Sequence, residues 1–271
     1  MKIPLEDLFE DIVGKAQRGL QVSDQELGQR AGLAIEELRP LKKGSGTLSA
    51  VPGLAEALGL GPKSLAASYS STWYPADVPE FEGAKQFNTP LIDMTVNAYL
   101  IWDPETKEAA VFDTGADASE LLAFVDSTHL DVKYLFLTHT HHDHVADLSA
   151  IVKRTRAEIY SPALERLAET KIVREGDVFR LGNLRVEARL TNGHSPGGTS
   201  YVVHGLQHTV AVVGDSLFAG SMGGAPNDYQ KALRNNAEKL LTLPGDTLVC
   251  PGHGPLTTIA NEREHNPFFA R

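Results

Sequence analysis

The chain has 271 residues, 42% of them apolar, and a formal net charge of -10. That length suits one large domain or a large and a small one, with enough apolar residues for a sizeable core. The acidic balance argues against an extended nucleic-acid surface, and no stretch approaches the roughly 20 apolar residues of a membrane span.

The start, Met1 to Asp7, is acidic and lacks the basic end and apolar centre of a signal peptide. Up to about residue 70 the pattern is one of short amphipathic helices. Leu5, Leu8, Ile12, Val13 and Ala16 form one apolar face, Leu27 and Ala31 a second, and Leu54, Leu58, Leu60 and Leu65 supply more. Ser23 with Glu26 three residues on marks a capped helix start, Gly32 a turn, and Gly44 a stop after a helix over Ile35 to Lys43. This order resembles the helix-turn-helix domain of phage-repressor-like regulators, with Ile35 to Lys43 in the recognition position. Residues 1 to 70 nevertheless hold eight Lys or Arg against nine Asp or Glu, and the recognition position carries Glu36, Glu37 and Pro40. DNA is therefore not the expected partner, and a packing or dimerisation role is favoured. Ser70-Ser71-Thr72 with Pro75 reads as a linker, giving a helical domain over 1–70 and a second domain over 71–271.

The second part alternates strands and helices. Strands are expected over Ala98 to Trp102, Ala109 to Asp113, Lys133 to Leu137, Glu158 to Tyr160, Leu184 to Leu190, Thr199 to Val203, His208 to Val213 and Thr247 to Cys250. Helices are expected over Ala118 to Asp126, Val145 to Arg154, Leu164 to Glu169 and Tyr229 to Leu241. The fold class is α/β, with two central sheets flanked by helices. Cys250 is the only cysteine, which excludes an intramolecular disulfide and suits a reducing, cytoplasmic setting. It reads as a small buried strand residue rather than a reactive thiol.

The run Thr138-His139-Thr140-His141-His142-Asp143-His144 holds four of the ten histidines directly after an apolar strand. Alternate side chains of an extended segment share a face, so His139, His141 and Asp143 can project together while His144 turns aside. Such groups are costly to desolvate together unless a cation accompanies them, and imidazole with carboxylate suits zinc or iron. Three further candidates follow short β-rich runs and are flanked by glycine or stand beside it: His194, Asp215 and His253.

In this order the pieces resemble the metallo-β-lactamase-fold hydrolases, and among them the glyoxalase II-like (hydroxyacylglutathione hydrolase-like) branch. The matching pieces are Val111 to Gly115, Thr138 to His144, Gly193 to Gly197, Gly214 to Ser221 and Pro251 to Thr258, with Asn266-Pro267-Phe268 behind. The resemblance implies an αββα sandwich preceded by the small all-α domain. It implies His139, His141 and His194 on one divalent metal, Asp143, His144 and His253 on a second, and Asp215 bridging both. Zinc is the first choice of metal, with iron or manganese as alternatives. His142 has no family role, and Asp113 is read as a hydrogen-bonding support rather than a ligand.

The implied chemistry is attack by a metal-bridging hydroxide on an activated carbonyl of a small molecule, oriented by Asp143. A thioester, a lactone and a β-lactam all fit. Asp215 stands where the β-lactamases proper have cysteine or no ligand, which argues against antibiotic hydrolysis. The Lys-x-Tyr that follows the bridging aspartate in glyoxalase II is replaced by Ser221-Met222-Gly223-Gly224, and no C-terminal basic domain follows, so weak recognition of glutathione is expected. Two alternatives stay open: a mononuclear iron persulfide dioxygenase using His139, His194 and Asp215, and a ligand- or metal-sensing regulator using the N-terminal helices. A homo-oligomer is compatible with either.

Overall fold

Five short helices open the chain: α1 (Phe9–Leu20), α2 (Asp24–Ala31), α3 (Ile35–Leu41), α4 (Val51–Leu58) and α5 (Pro62–Tyr69). The computed structural model describes residues 2–78, 80–92 and 94–270. Ser23 caps α2 reciprocally with Glu26, as the spacing predicts. Leu8 does not belong to the first apolar face: it precedes α1, is 56% exposed, and leaves the buried place to Phe9. α3 ends at Leu41, two residues earlier than expected. Pro40 sits in its last turn, where it has no N–H to donate to Glu36 O.

Two six-stranded sheets follow. The first is ordered β1 (Ala84–Leu91), β2 (Met94–Trp102), β3 (Glu108–Phe112), β4 (Asp131–Phe136), β5 (Glu158–Pro162) and β6 (Lys171–Val173). It is antiparallel as far as β3 and parallel beyond. The second contains β7 (Val178–Leu181), β8 (Leu184–Leu190), β9 (Thr199–His204), β10 (Val210–Gly214), β11 (Leu248–Pro251) and β12 (Thr257–Thr258), with β7 and β12 at its edges. Phe112, Phe136, Tyr201 and Val212 form one buried cluster between the sheets. A second cluster joins the outer face of the first sheet to α6 (Ser119–Thr128) and α7 (Leu148–Thr155). Ile259 of α9 (Ile259–His265) joins Val202, Ala211 and Val249 outside the other sheet. This is the expected αββα sandwich, preceded by helices. Among the described residues, no helix is long and apolar enough to cross a membrane.

Four strands escape the sequence reading. β1 carries Asn88 and Pro90 and lies at a sheet edge, where neither residue interrupts a ladder. β6, β7 and β12 have four residues or fewer, too few for alternation to register. The helix expected over Leu164 to Glu169 is absent. Glu165 there accepts hydrogen bonds from Ser195 Oγ at 2.8 Å and Gly197 N at 3.0 Å, which commits this stretch to a turn. The helix expected over Tyr229 to Leu241 is α8 (Tyr229–Asn235) continued by a π-turn over Asn236–Leu240.

The N-terminal helices do not keep their core to themselves. Ile12, Val13, Leu38 and Leu54 share one buried cluster with Met222, Ala225, Tyr229, Ala232 and Phe268. Gly61 N donates to Pro267 O at 2.7 Å, and Tyr74 of the expected linker donates its hydroxyl to Ile3 O.

Candidate metal centre

All seven candidate residues lie where strands of the two sheets end. His139 follows β4; His141 and the 3₁₀ turn His142–His144 come next. Asp215 follows β10 and His253 follows β11, and these two strands run parallel, so both loops leave from the same edge. Asn97 of β2 fixes the His253 loop through its side-chain amide, which donates to Pro251 O and Gly254 O at 2.9 Å each. Gly252 has no alternative at its position. A Cβ there would stand 2.1 Å from Asp215 Oδ1 and 2.7 Å from the His144 ring.

The donors form two groups. His139, His141 and His194 make one, Asp143, His144 and His253 the other, and His139, His144 and Asp215 are close enough to link them. Asp215 Oδ2 lies 3.4 Å from His194 Nε2 and 3.5 Å from His253 Nε2, while Oδ1 lies 3.3 Å from His144 Nε2. Asp143 Oδ2 lies 3.3 Å from His144 Nε2 and 3.2 Å from His253 Nε2. Simple alternation along the run places Asp143 with His139 and His141, and here it fails. The 3₁₀ turn rotates Asp143 toward His144 and His253, in the grouping that the family resemblance implies. His142 is exposed and belongs to neither group.

Acceptors outside the cluster fix which ring nitrogen carries each proton. His144 Nδ1 faces Asp113 Oδ2 at 2.9 Å, His253 Nδ1 faces Thr95 O at 2.7 Å, and His194 Nδ1 faces Gly224 O at 3.0 Å. Thr138 Oγ1 donates to Asp113 Oδ2, so toward His139 Nδ1, 3.1 Å away, it can only accept. Each of these four rings therefore turns its Nε2 inward, toward the other donors. His141 Nδ1 lies 3.1 Å from both His139 Nε2 and His194 Nε2. A proton on His141 Nδ1 can serve only one of the two facing nitrogens, whereas a cation can serve all three. Among the described residues, buried His144 Nε2 and Asp215 Oδ1 have no hydrogen-bond partner. The residues present fit two divalent ions.

Electrostatics divide the histidines. Burial, and then the neighbouring His144 ring, hold His139 well below the ordinary imidazole range; burial also lowers His194. Burial opposes charge on His144 as well, but the carboxylates of Asp215 and Asp113 outweigh it and raise the group. Against the same opposition, hydrogen bonds to Asp143 and Asp215 push His253 up to about 10. Burial would raise both aspartates, yet the adjoining rings of His144 and His253 hold Asp143 and Asp215 well below the usual carboxylate range.

The groups open into a cleft of about 430 Å³ that Asp143, His194, Asp215 and His253 help to line. Leu91 and Met94 at the β1–β2 turn and Phe218 supply apolar surface. Two lining residues escape the sequence reading, Glu6 and Lys15. Burial is the main cause that pushes Glu6 up to about 7. No local signal marks either residue, because both reach the cleft from a segment far away in sequence. Cys250 is buried in the inter-sheet cluster, and burial pushes its thiol well up.

Residues 91–253 match the model of the metallo-beta-lactamase superfamily. Hydroxyacylglutathione hydrolase GloC of Haemophilus influenzae is 30% identical over 205 residues, covering 66% of this chain and 95% of that protein. Human mitochondrial persulfide dioxygenase ETHE1 is 30% identical over 182 residues, covering 62% and 69%. Among solved structures, BLEG-1 B3 metallo-beta-lactamase is 31% identical with a TM-score of 0.58, and the match covers 69% of this chain and all of that one. The helices before β1 lie outside the family match.

Proposed function

The chain belongs to the metallo-β-lactamase superfamily, and on that footing we propose that it is a dinuclear metal-dependent hydrolase of small acyl thioesters. The observation that carries this reading is the pair of donor groups sharing Asp215, with the Nε2 atoms of four histidines turned inward beside it. His139, His141 and His194 would hold one ion, Asp143, His144 and His253 the other, and Asp215 would serve both. Zinc is the first choice, with iron or manganese as alternatives. Two such ions supply Lewis acidity, which acidifies a shared water and polarises a carbonyl oxygen.

The protein's own part is orientation. Asp143 and Asp215 both line the cleft beside the second donor group, and Asp143, partly exposed where Asp215 is buried, is the more accessible of the two. It is placed to accept a hydrogen bond from the attacking nucleophile and aim its lone pair. Leu91, Met94 and Phe218 offer apolar contact to an acyl or thiol chain and exclude water beside the reacting carbonyl. The similarity to GloC supports a thioester over a lactone, and the glycines at 223 and 224 leave glutathione without the Lys-x-Tyr of glyoxalase II.

A second reading is a mononuclear iron dioxygenase acting on persulfides. Asp215 Oδ2, 3.4 Å from His194 Nε2 and 3.9 Å from His139 Nε2, completes a two-histidine, one-carboxylate set, and ETHE1 is among the relatives. Metal analysis of protein purified without chelator, with a thioester panel and oxygen uptake on glutathione persulfide, decides between them. Two metals per chain with thioester hydrolysis support the hydrolase. One iron with oxygen uptake and no hydrolysis replaces it.

A further inference from the structure

The family match begins at residue 91, yet two charged side chains facing the cleft come from the first fifteen residues. Lys15 of α1 is accounted for. Its ammonium pairs with Asp7, donates to Met222 O at 3.0 Å and sits 5.0 Å from the centre of the Phe218 ring. Asp7 is buried and also accepts from Ser221 Oγ, so this pair is neutral as a unit and clamps the N-terminal segment to the loop at 221–222.

Glu6 is not accounted for. It lines the cleft, and among the described residues no cationic nitrogen lies within 4.0 Å of its carboxylate and no side-chain hydrogen bond engages it. Its backbone is nonetheless fixed. Residues 4 to 6 lie along the loop that follows His253, so close that a Cβ on Gly254 would stand 3.2 Å from Glu6 N and 3.5 Å from Pro4 O. A carboxylate on the wall of a substrate cleft, with Lys15 and His253 acting on it only at longer range, attracts positive charge and repels negative charge. Leu91 and Met94 line the same cleft and give the carbon chain of a substrate apolar surface.

We propose that Glu6 determines specificity, receiving a positively charged ammonium group on the substrate and turning away anionic thiols and acids. The substrate class is then a small acyl thioester with an ammonium group. This rests on the hydrolase reading above and deepens it. The segment before α1, in this view, delivers the selective wall of the catalytic cleft.

The test uses full-length, metal-loaded protein and two acetyl thioesters: that of thiocholine, and its uncharged isostere in which carbon replaces nitrogen. Wild type should show a Michaelis constant about fivefold lower for the cationic ester. Glu6→Gln should abolish that preference, and Glu6→Lys should reverse it. Binding of choline and its carbon isostere, followed by NMR titration, gives the same comparison without turnover. If wild type hydrolyses neither ester, the hydrolase reading fails, and the binding comparison still decides on Glu6. An equal preference in wild type and Glu6→Gln overturns the proposal. So does a loss of metal from Glu6→Gln, which would make Glu6 part of the metal-holding set.

Discussion

His144 Nδ1 donates a hydrogen bond to Asp113 Oδ2 across 2.9 Å, and both residues are buried. The same carboxylate accepts from Thr138 N and Thr138 Oγ1 at 2.7 Å each, so Asp113 holds the start of the histidine run and one of its rings together. Asp113 also sits at φ 54, a left-handed conformation that Asp and Asn tolerate better than most residues. Asp113→Asn is therefore a clean substitution. It keeps the backbone and one acceptor, but can turn an amide donor toward His144. Metal affinity should fall about 10- to 100-fold, measured by competition with a chromophoric chelator.

Asp215→Ala should reduce occupancy from two metals to one or none, because among the described residues no other carboxylate links the two donor groups. Elemental analysis after gel filtration reads this directly. Full retention of two metals would sink the bridging role.

Asp143→Asn should lower turnover by at least about a hundredfold, with a smaller effect on the Michaelis constant. The amide still occupies the site but brings neither ligand charge nor a strong acceptor. Steady-state kinetics on metal-reconstituted protein separates the two effects. Wild-type turnover with full metal content would remove Asp143 from the mechanism.

The pH dependence of the chelated protein follows from His253, whose folded value is about 10 against an ordinary 6.5. A raised value means that the folded state holds this proton more tightly. Its stabilisation is complete below about pH 6.5 and is lost as pH rises toward 10. Asp143 and Asp215 are depressed, so their contribution is present above the ordinary carboxylate range and is lost on acidification. The thermal midpoint of chelated protein should decline from pH 6.5 to 10. Metal-loaded protein, with the ring nitrogen engaged, should not follow it; parallel curves would contradict the assignment.

Removing residues 1 to 70 should expose Met222, Ala225, Tyr229, Ala232 and Phe268, which share a cluster with the deleted helices. Lower solubility or a changed oligomeric state is expected by light scattering. The intact protein should show no specific DNA affinity at physiological salt, given its charge balance. A footprint that weakens steeply with added salt would overturn this.

What could be read ahead of the structure was what is local. The run from Thr138 to His144, and His194, Asp215 and His253 beside their glycines, declare themselves because each stands next to a strand that its own neighbours specify. Alternation misplaced Asp143, because one 3₁₀ turn changes the periodicity within three residues. The supposed helix at 164–169 failed for a tertiary reason: Glu165 is held by Ser195 and Gly197, some thirty residues away. Glu6 and Lys15 were out of reach altogether. Asp7 and Ser221 are separated by 214 positions, and no pattern in a single sequence encodes such a meeting.

That separation bears on the order of assembly. Lys15 and the carbonyl of Met222 are 207 residues apart, and the face of α1 to α4 is completed by Phe268. Synthesis runs from the N-terminus, so the helices emerge first and their apolar face waits for partners made last. Contacts of such range are slow to form and close late. The N-terminal segment that lines the cleft is thus seated only on a nearly complete chain, at about the stage when His253 completes the donor groups.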